Sequence, residues 1–189
     1  MVEQMAIGCI LGDSYITKSG CLQVEHSLKQ KDYIDYKYRF FLEYNLTGKT
    51  PTEISRFDKR TGKTYKSLRF YTKAKFQQLR TFFYPNKRKV VPKTIDSLLI
   101  SDLALAVWFM DDGGRGANTP RGQIISVAGF DLESRNLLKQ CLFRNYQMQV
   151  RVYKNGQMYI PIEAVDAFHR IVSPRIIPSM RYKLEPRND

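Results

Sequence analysis

Two stretches of the chain are apolar at almost every position, Ala6-Ile-Gly-Cys-Ile-Leu11 and Leu105-Ala-Val-Trp-Phe-Met110. A helix with no polar face is one buried on all sides, so both predict core helices. After the first, Tyr15-Ile-Thr-Lys-Ser-Gly20 turns into Cys21–Ser27, where Leu22 and Val24 alternate with Gln23, Glu25 and Ser27 and predict a half-buried strand. From Lys31 to Tyr44 the period lengthens to that of a helix, with Tyr33, Ile34, Tyr36, Phe40, Phe41 and Leu42, and Asn45-Leu-Thr-Gly48 supplies the stop. Glu53–Phe57 and Tyr65–Thr72, joined by Asp58-Lys-Arg-Thr-Gly-Lys63, predict a hairpin with a basic tip. A helix over Lys73–Phe83 ends at Pro85. Tyr33, Tyr36, Phe40, Phe82 and Phe83 stand at helical spacing beside aliphatics and are expected in the core.

The second apolar helix opens a stretch with the same order of elements. Ser101 or Asp102 is available as its N-cap. A strand at Gly122–Ala128 and a helix at Leu132–Asn145 follow, then strands Gln149–Tyr153 and Gln157–Ile160 around Asn155-Gly156, a strong hairpin signal. A helix over Ile162–Ile171 leads into an extended tail. The repeated order implies an internal duplication, αββαββα in each half, with residues 1–84 as the first half, 85–101 as a linker and 102–189 as the second half with its tail. The fold class is α/β in the α+β sense, each half contributing one curved sheet.

Composition narrows the partners. The 189 residues suit one domain of ordinary size or two small halves sharing a core. Lys and Arg number 31 against 18 Asp and Glu, a formal +13 spread through the chain, which points to a polyanion and most often to nucleic acid. The three cysteines, Cys9, Cys21 and Cys141, have no CxxC spacing, which argues against a disulfide framework or zinc ribbon and for a reducing intracellular compartment, without separating bacterial cytoplasm from organelle. His26 and His169 are too few and too far apart for a histidine-based zinc centre and read as structural or surface residues. No apolar run reaches a membrane span, and Met1–Met5 begin a helix with no basic leader, so no membrane partner and no export are expected.

Each apolar helix carries a carboxylate at its C-terminal tip, Asp13 after the first and Asp111-Asp112 on the second. The negative end of a helix dipole repels a carboxylate, so something positive should compensate. If the helices pack together the acids meet at one end of their interface, and a divalent cation bound by hard oxygens is the natural counter-charge, at a pseudo-twofold axis. Gly8 and Gly12, four apart on one helix face, would let the partner backbone approach closely.

These residues resemble the single-chain LAGLIDADG homing endonucleases, which carry two copies of the motif. The resemblance rests on Leu11-Gly-Asp-Ser-Tyr-Ile16, Leu105-Ala-Val-Trp-Phe-Met-Asp-Asp-Gly-Gly114 and Met180-Arg-Tyr-Lys-Leu184, and so spans nearly the whole chain. It implies motif helices at the interface of two halves, each laying a four-stranded antiparallel saddle into the DNA major groove. It also implies a monomeric, Mg²⁺-dependent enzyme, with Mn²⁺ or Ca²⁺ able to take the same place, that cuts both strands across the minor groove and leaves cohesive ends. Aligning the last motif acid selects Asp13 and Asp112 as metal ligands, with Asp111, where the family more often has a small residue, as a neighbouring competitor. By the same resemblance Lys89 and Lys183 match lysines placed near the scissile phosphates, with Lys87, Arg88, Lys93 and Arg181 as neighbours. Phosphodiester hydrolysis needs an activated water, neutralised phosphate charge and a stabilised leaving oxygen, which these acids and lysines can serve.

Residues on the polar face of a half-buried sheet are free to meet bases. In the first half these are Gln23, Glu25, Ser27, Arg56, Arg69 and Tyr71, flanked at the hairpin tip by Lys59, Arg60 and Lys63. In the second they are Gln123, Ser126, Gln149, Arg151, Tyr153, Gln157 and Tyr159, with Lys154 near the tip and Arg115 and Arg121 in the preceding loop. Arginine and glutamine suit bidentate readout, whereas tip lysines suit phosphate. The expected substrate is duplex DNA with a long asymmetric site, since the halves differ in sequence. The alternative is an intron-RNA-binding maturase on the same fold, against which the paired acids argue.

Overall fold

The computed structural model describes residues 1–116 and 119–185, the side chains of 116 and 119–121 excepted. The chain forms two compact units, one comprising residues 1, 3–12 and 81–189 and the other residues 2 and 13–80. The elements run α1 (Val2–Leu11), β1 (Tyr15–Ile16), β2 (Leu22–Ser27), α2 (Lys31–Glu43), β3 (Thr52–Asp58), β4 (Lys63–Tyr71), α3 (Gln77–Phe83), α4 (Ile95–Leu98), α5 (Asp102–Asp112), β5 (Gly113–Gly116), β6 (Thr119–Ser126), α6 (Leu132–Tyr146), β7 (Arg151–Val152), β8 (Gln157–Ile160) and α7 (Ile162–Val172). The αββαββα order therefore occurs twice, and the two four-stranded sheets repeat one topology, β1-β2-β4-β3 and β5-β6-β8-β7. All ladders are antiparallel.

In the unit of residues 13–80, Leu22, Val24 and Phe70 point to one side of the sheet, where α2 covers them with Tyr33, Ile34 and Phe41. The Phe41 and Phe70 rings lie 6.3 Å apart. The inner stripe of α2 also carries Lys37, which is fully buried. A carbonyl of Ile16 and the Tyr15 hydroxyl receive Arg80 from α3, tying that helix to the short β1 edge.

In the other unit α1 and α5 are buried along almost their whole length. They pack together because Gly8 leaves room: a Cβ on it would come within 2.6 Å of the Ala104 carbonyl oxygen and 2.8 Å of the Val107 Cβ. Where the first apolar helix has glycine the second has valine, and the larger residue fills the space left by the smaller. Gln4 adds a polar lock, its amide nitrogen donating to the Leu98 carbonyl at 2.8 Å. Ser101 is the N-cap of α5, its hydroxyl accepting from the Ala104 N–H.

Two expectations about placement need correction, those for Phe82 and Arg115, and the joining stretch proves well packed. The 85–101 stretch, linker-like in composition, is packed: Val91, Ile95 and Leu99 are buried, and Asn145 of α6 donates to the Leu99 carbonyl at 2.8 Å. Phe82 is 37% exposed, because the inward stripe of α3 falls on Leu79 and Phe83 instead. Arg115 lies on strand β5 and not in a loop, since Gly113 and Gly114 pair directly with Ile125 and Ile124.

Candidate functional site

Both apolar helices end without a basic residue in their own last turn, so their terminal carbonyls need partners from elsewhere. Two lysines supply them. The Lys89 ammonium donates to the Gly12 carbonyl at 2.7 Å and stands 5.3 Å from the centre of the Phe130 ring. The Lys183 ammonium donates to the Met110 carbonyl at 2.5 Å and the Asp111 carbonyl at 2.9 Å. Gly12 immediately precedes Asp13, and Asp111 immediately precedes Asp112. Each lysine thus fixes a peptide plane leading into an acid: Lys89 the one before Asp13, and Lys183 the ones before Asp111 and Asp112. Asp111 has a different place: its side chain lies against Gly12, where an added Cβ would sit 2.3 Å from Asp111 Oδ2.

The backbones that carry these lysines are themselves held. Val90 N–H donates to the Phe83 carbonyl and Val91 N–H to the Ser134 hydroxyl, both just after Lys89. On the other side Leu184, just after Lys183, offers its carbonyl to the Arg115 Nη2 at 2.8 Å, the Arg115 Nε at 3.3 Å and the Gln123 Nε2 at 3.3 Å.

Within the 13–80 unit, Asp13 is half-exposed and its Oδ2 lies 3.9 Å from His26 Nδ1. His26 stands inward on β2, in register with Leu22 and Val24, and its Nε2 is 3.0 Å from the buried Lys37 ammonium. The same ammonium is 4.3 Å from the centre of the Tyr33 ring, which tilts against the imidazole at 4.8 Å. Neither His26 nor Lys37 was singled out by the sequence as functional. The signals were available: a histidine at an inward period-2 position, and a lysine on a helical stripe otherwise made of Tyr33, Ile34 and Phe41.

The outward face of the first sheet carries the residues expected there. Register places Gln23 opposite Tyr71, Glu25 opposite Arg69 and Arg56 opposite Tyr65. Glu25 is the hub: Arg56 makes two bonds to its carboxylate, Arg69 Nε donates at 2.7 Å and the Ser67 hydroxyl at 2.6 Å. The Arg56 bonds chiefly hold the Glu25 carboxyl down at about 2, helped by Ser67 and Arg69 and opposed by burial. The Tyr71 hydroxyl donates to Gln23 at 3.0 Å. Ser27 and the tip residues Lys59, Arg60 and Lys63 are exposed.

The second sheet keeps most of its expected face. Ser126, Gln149, Arg151, Tyr153 and Lys154 are exposed and Gln157 and Tyr159 half-exposed, with the Tyr153 and Tyr159 rings 6.1 Å apart. Tyr159 lies across Gly122, where a Cβ would come within 2.2 Å of its ring. Gln123 departs from expectation. It is fully buried, because odd positions of β6 share the core-facing side of Ile125, and its Nε2 bonds His169 Nε2 at 3.0 Å as well as Leu184. Burial chiefly, with Arg115 nearby, lowers the His169 pKa. Arg115 likewise bonds the protein's own backbone. The Arg121 side chain lies outside the described residues.

Among the described residues no helix is long and apolar enough to cross a membrane.

Comparison with known proteins agrees with this architecture. The chain is 30% identical to the probable intron-encoded endonuclease 1 of Wickerhamomyces canadensis, covering 96% of this chain and 83% of that protein. It is also 30% identical to the cytochrome b mRNA maturase bI2 of Debaryomyces hansenii, covering 96% and 72%. Among solved structures it superposes on the homing endonuclease I-WcaI bound to its DNA recognition sequence with a TM-score of 0.85 and 31% identity, over 98% of this chain and 86% of that one. The model of the LAGLIDADG DNA endonuclease family matches residues 3–168, and the chain belongs to that family.

Proposed function

We propose that this protein is a monomeric, site-specific endonuclease that cuts both strands of a long asymmetric DNA site across the minor groove and leaves cohesive ends. Asp13 and Asp112 are the acids that serve the two strands, and Lys89 and Lys183 are their lysines. One observation carries the reading: each lysine, far away in sequence, grips the carbonyl next to one of the acids. A lysine there neutralises the negative end of the helix dipole and keeps a positive charge beside the carboxylate, where a scissile phosphate would bring more negative charge.

The donor set fits a divalent cation of the hard, oxygen-loving class. Asp13 and Asp112 would each be a ligand for such a cation, and the buried Ser14 hydroxyl, next to Asp13 in the chain, has no hydrogen-bond partner among the described residues. When bound, such an ion, Mg²⁺ by family resemblance, lowers the pKa of water and neutralises phosphate charge. Lys89 and Lys183 donate to the phosphate oxygens or orient the attacking water, and their backbone anchors limit the reorganisation needed in the transition state. The first sheet presents Arg56, Arg69 and Gln23 to base edges, and the lysines at its tip hold the backbone phosphates. The duplicated halves, 1–84 and 102–189, each read one half-site, with 85–101 joining them.

Cleavage of a randomised plasmid library in Mg²⁺ tests this reading. The wild type should recover a discrete site, Asp13→Asn and Asp112→Asn should each lower single-turnover cleavage by at least about 100-fold, and Asp111→Asn should cost less than either. Tight intron-RNA binding with no DNA cleavage would replace the nuclease with the maturase reading, for which a relative gives precedent.

A further inference from the structure

Arg115 and Gln123 stand in the sequence where a nuclease of this kind would read DNA. Their donor groups are engaged elsewhere, Gln123 through its amide nitrogen alone. Both converge on the Leu184 carbonyl, Arg115 through Nη2 at 2.8 Å and Nε at 3.3 Å and Gln123 through Nε2 at 3.3 Å. Gln123 is 0% exposed, and its amide nitrogen must face Leu184 because a carbonyl can only accept. That same nitrogen meets His169 Nε2 at 3.0 Å, which leaves the imidazole to accept there. A surface phosphate cannot be reached by Gln123, and an arginine that bridges one carbonyl with two of its N–H groups has spent much of its fork.

The carbonyl they hold belongs to the residue directly after Lys183, whose ammonium grips the end of α5 beside Asp112. We propose that Arg115 and Gln123, backed by His169, are positioning residues that clamp the chain at Leu184 and so set the reach of Lys183, rather than DNA contacts. The inference rests on the proposed role of Lys183. It has a counterpart on the other lysine, where Phe83 and Ser134 hold Val90 and Val91 after Lys89. The two devices differ in residue type, so the clamp belongs to one active half, and its loss should be felt on one strand.

The test uses a supercoiled plasmid carrying the site that the wild-type protein recovers from the randomised library, with strand-resolved single-turnover cleavage and DNA affinity over a salt series. For Arg115→Met, affinity should stay within about twofold and the salt slope should be unchanged. Cleavage of one strand should slow about 10- to 100-fold, so that nicked circles accumulate. Arg115→Lys, which keeps one donor, should recover part of the rate, and Arg115→Met combined with Lys183→Met should be no slower on that strand than Lys183→Met alone. Gln123→Met should give the same strand asymmetry, which separates the clamp from a folding defect in either variant alone. A salt slope lower by about one with both strands slowed alike would make Arg115 a phosphate contact and overturn the proposal. Acylation of lysines by an N-hydroxysuccinimide ester, read by mass spectrometry, gives a readout without cleavage: Lys183 should react several-fold faster in Arg115→Met, by about the loss of one or two anchoring bonds. Unchanged Lys183 reactivity would overturn the clamp. A wild type that cuts nothing while the acylation difference persists would instead overturn the nuclease reading and leave the clamp standing.

Discussion

Gly8 is where a single missing carbon decides how two helices meet. A Cβ there would press on the Ala104 backbone carbonyl and on Val107, and a backbone carbonyl cannot swing aside as a side chain can. Gly8→Ala gains about 1 kcal/mol in helix propensity but overpacks the α1–α5 contact, at about 1–3 kcal/mol. The expected net result is a loss of up to about 2 kcal/mol in urea unfolding. Gly48→Ala, with nothing within 4 Å of the new carbon, is the control. Equal stability of the two variants would mean that the helices separate freely. The small-residue spacing was legible in the sequence, and so was the place of Asp13 and of Asp111-Asp112 at the ends of two apolar helices, because both are one-dimensional patterns. His26 was not, because what gives it meaning is Lys37, eleven residues on and buried against it. With Lys37 donating to Nε2, neutral His26 should carry its proton on Nδ1, the nitrogen that faces Asp13. Imidazole ¹⁵N shifts above the histidine titration range check this. An Nε2–H tautomer in the wild type, or the same spectrum in Lys37→Met, would refute it.

At the scale of the sheet, the strands act as a frame that holds charges ready on one face. Glu25 opposite Arg69 and within reach of Arg56 keeps both guanidiniums aligned on the outward side of β2, β4 and β3. The Glu25 carboxyl falls from 4.5 to about 2 in the folded protein. A group with a depressed folded pKa contributes stability above its unfolded pKa and loses it as pH falls through the folded one. Glu25→Gln should therefore cost about 1 kcal/mol or less at neutral pH, where solvent and salt screen the pairs. The gap to the wild type should close as pH falls from about 4.5 toward 2. A pH-independent difference in thermal or urea unfolding would show that packing, not the ion pairs, sets the effect. Alternation gave this face correctly for Gln23, Glu25 and Ser27 because β2 has a clear two-residue period. It misled for Gln123, since Gln123 and Ser126 cannot both face outward on one regular strand: their separation is odd, and the core-facing side is the one shared with Ile125. A buried glutamine on the inner side is readable only once its partners, His169 and Leu184, are known, and those come from helix α7 and the tail.

For the whole molecule the excess of basic residues, 31 against 18 acids, is a statement about affinity more than about fold. Part of that charge is internal: Lys89 and Lys183 close helix ends, Lys37 is buried, and Arg115 holds a carbonyl. The exposed basic residues are spread along the chain, and among them Lys59, Arg60 and Lys63 cluster at the hairpin tip while Arg151 stands on a strand of the second sheet. Contacts to phosphates release counterions, so an interface neutralising about 6–10 phosphates should lose about 10³- to 10⁵-fold in affinity between roughly 50 and 200 mM salt. Lys59→Ala should lower the salt slope by about one and weaken binding to cognate and unrelated duplexes alike, whereas Arg69→Ala should mainly erode the preference for the cognate site. Fluorescence anisotropy on the two duplexes separates the outcomes. If both variants lowered the salt slope equally and left the preference intact, Arg69 would be one more phosphate contact, and the ion-pair frame around Glu25 would be an architectural feature of the sheet with no part in reading bases.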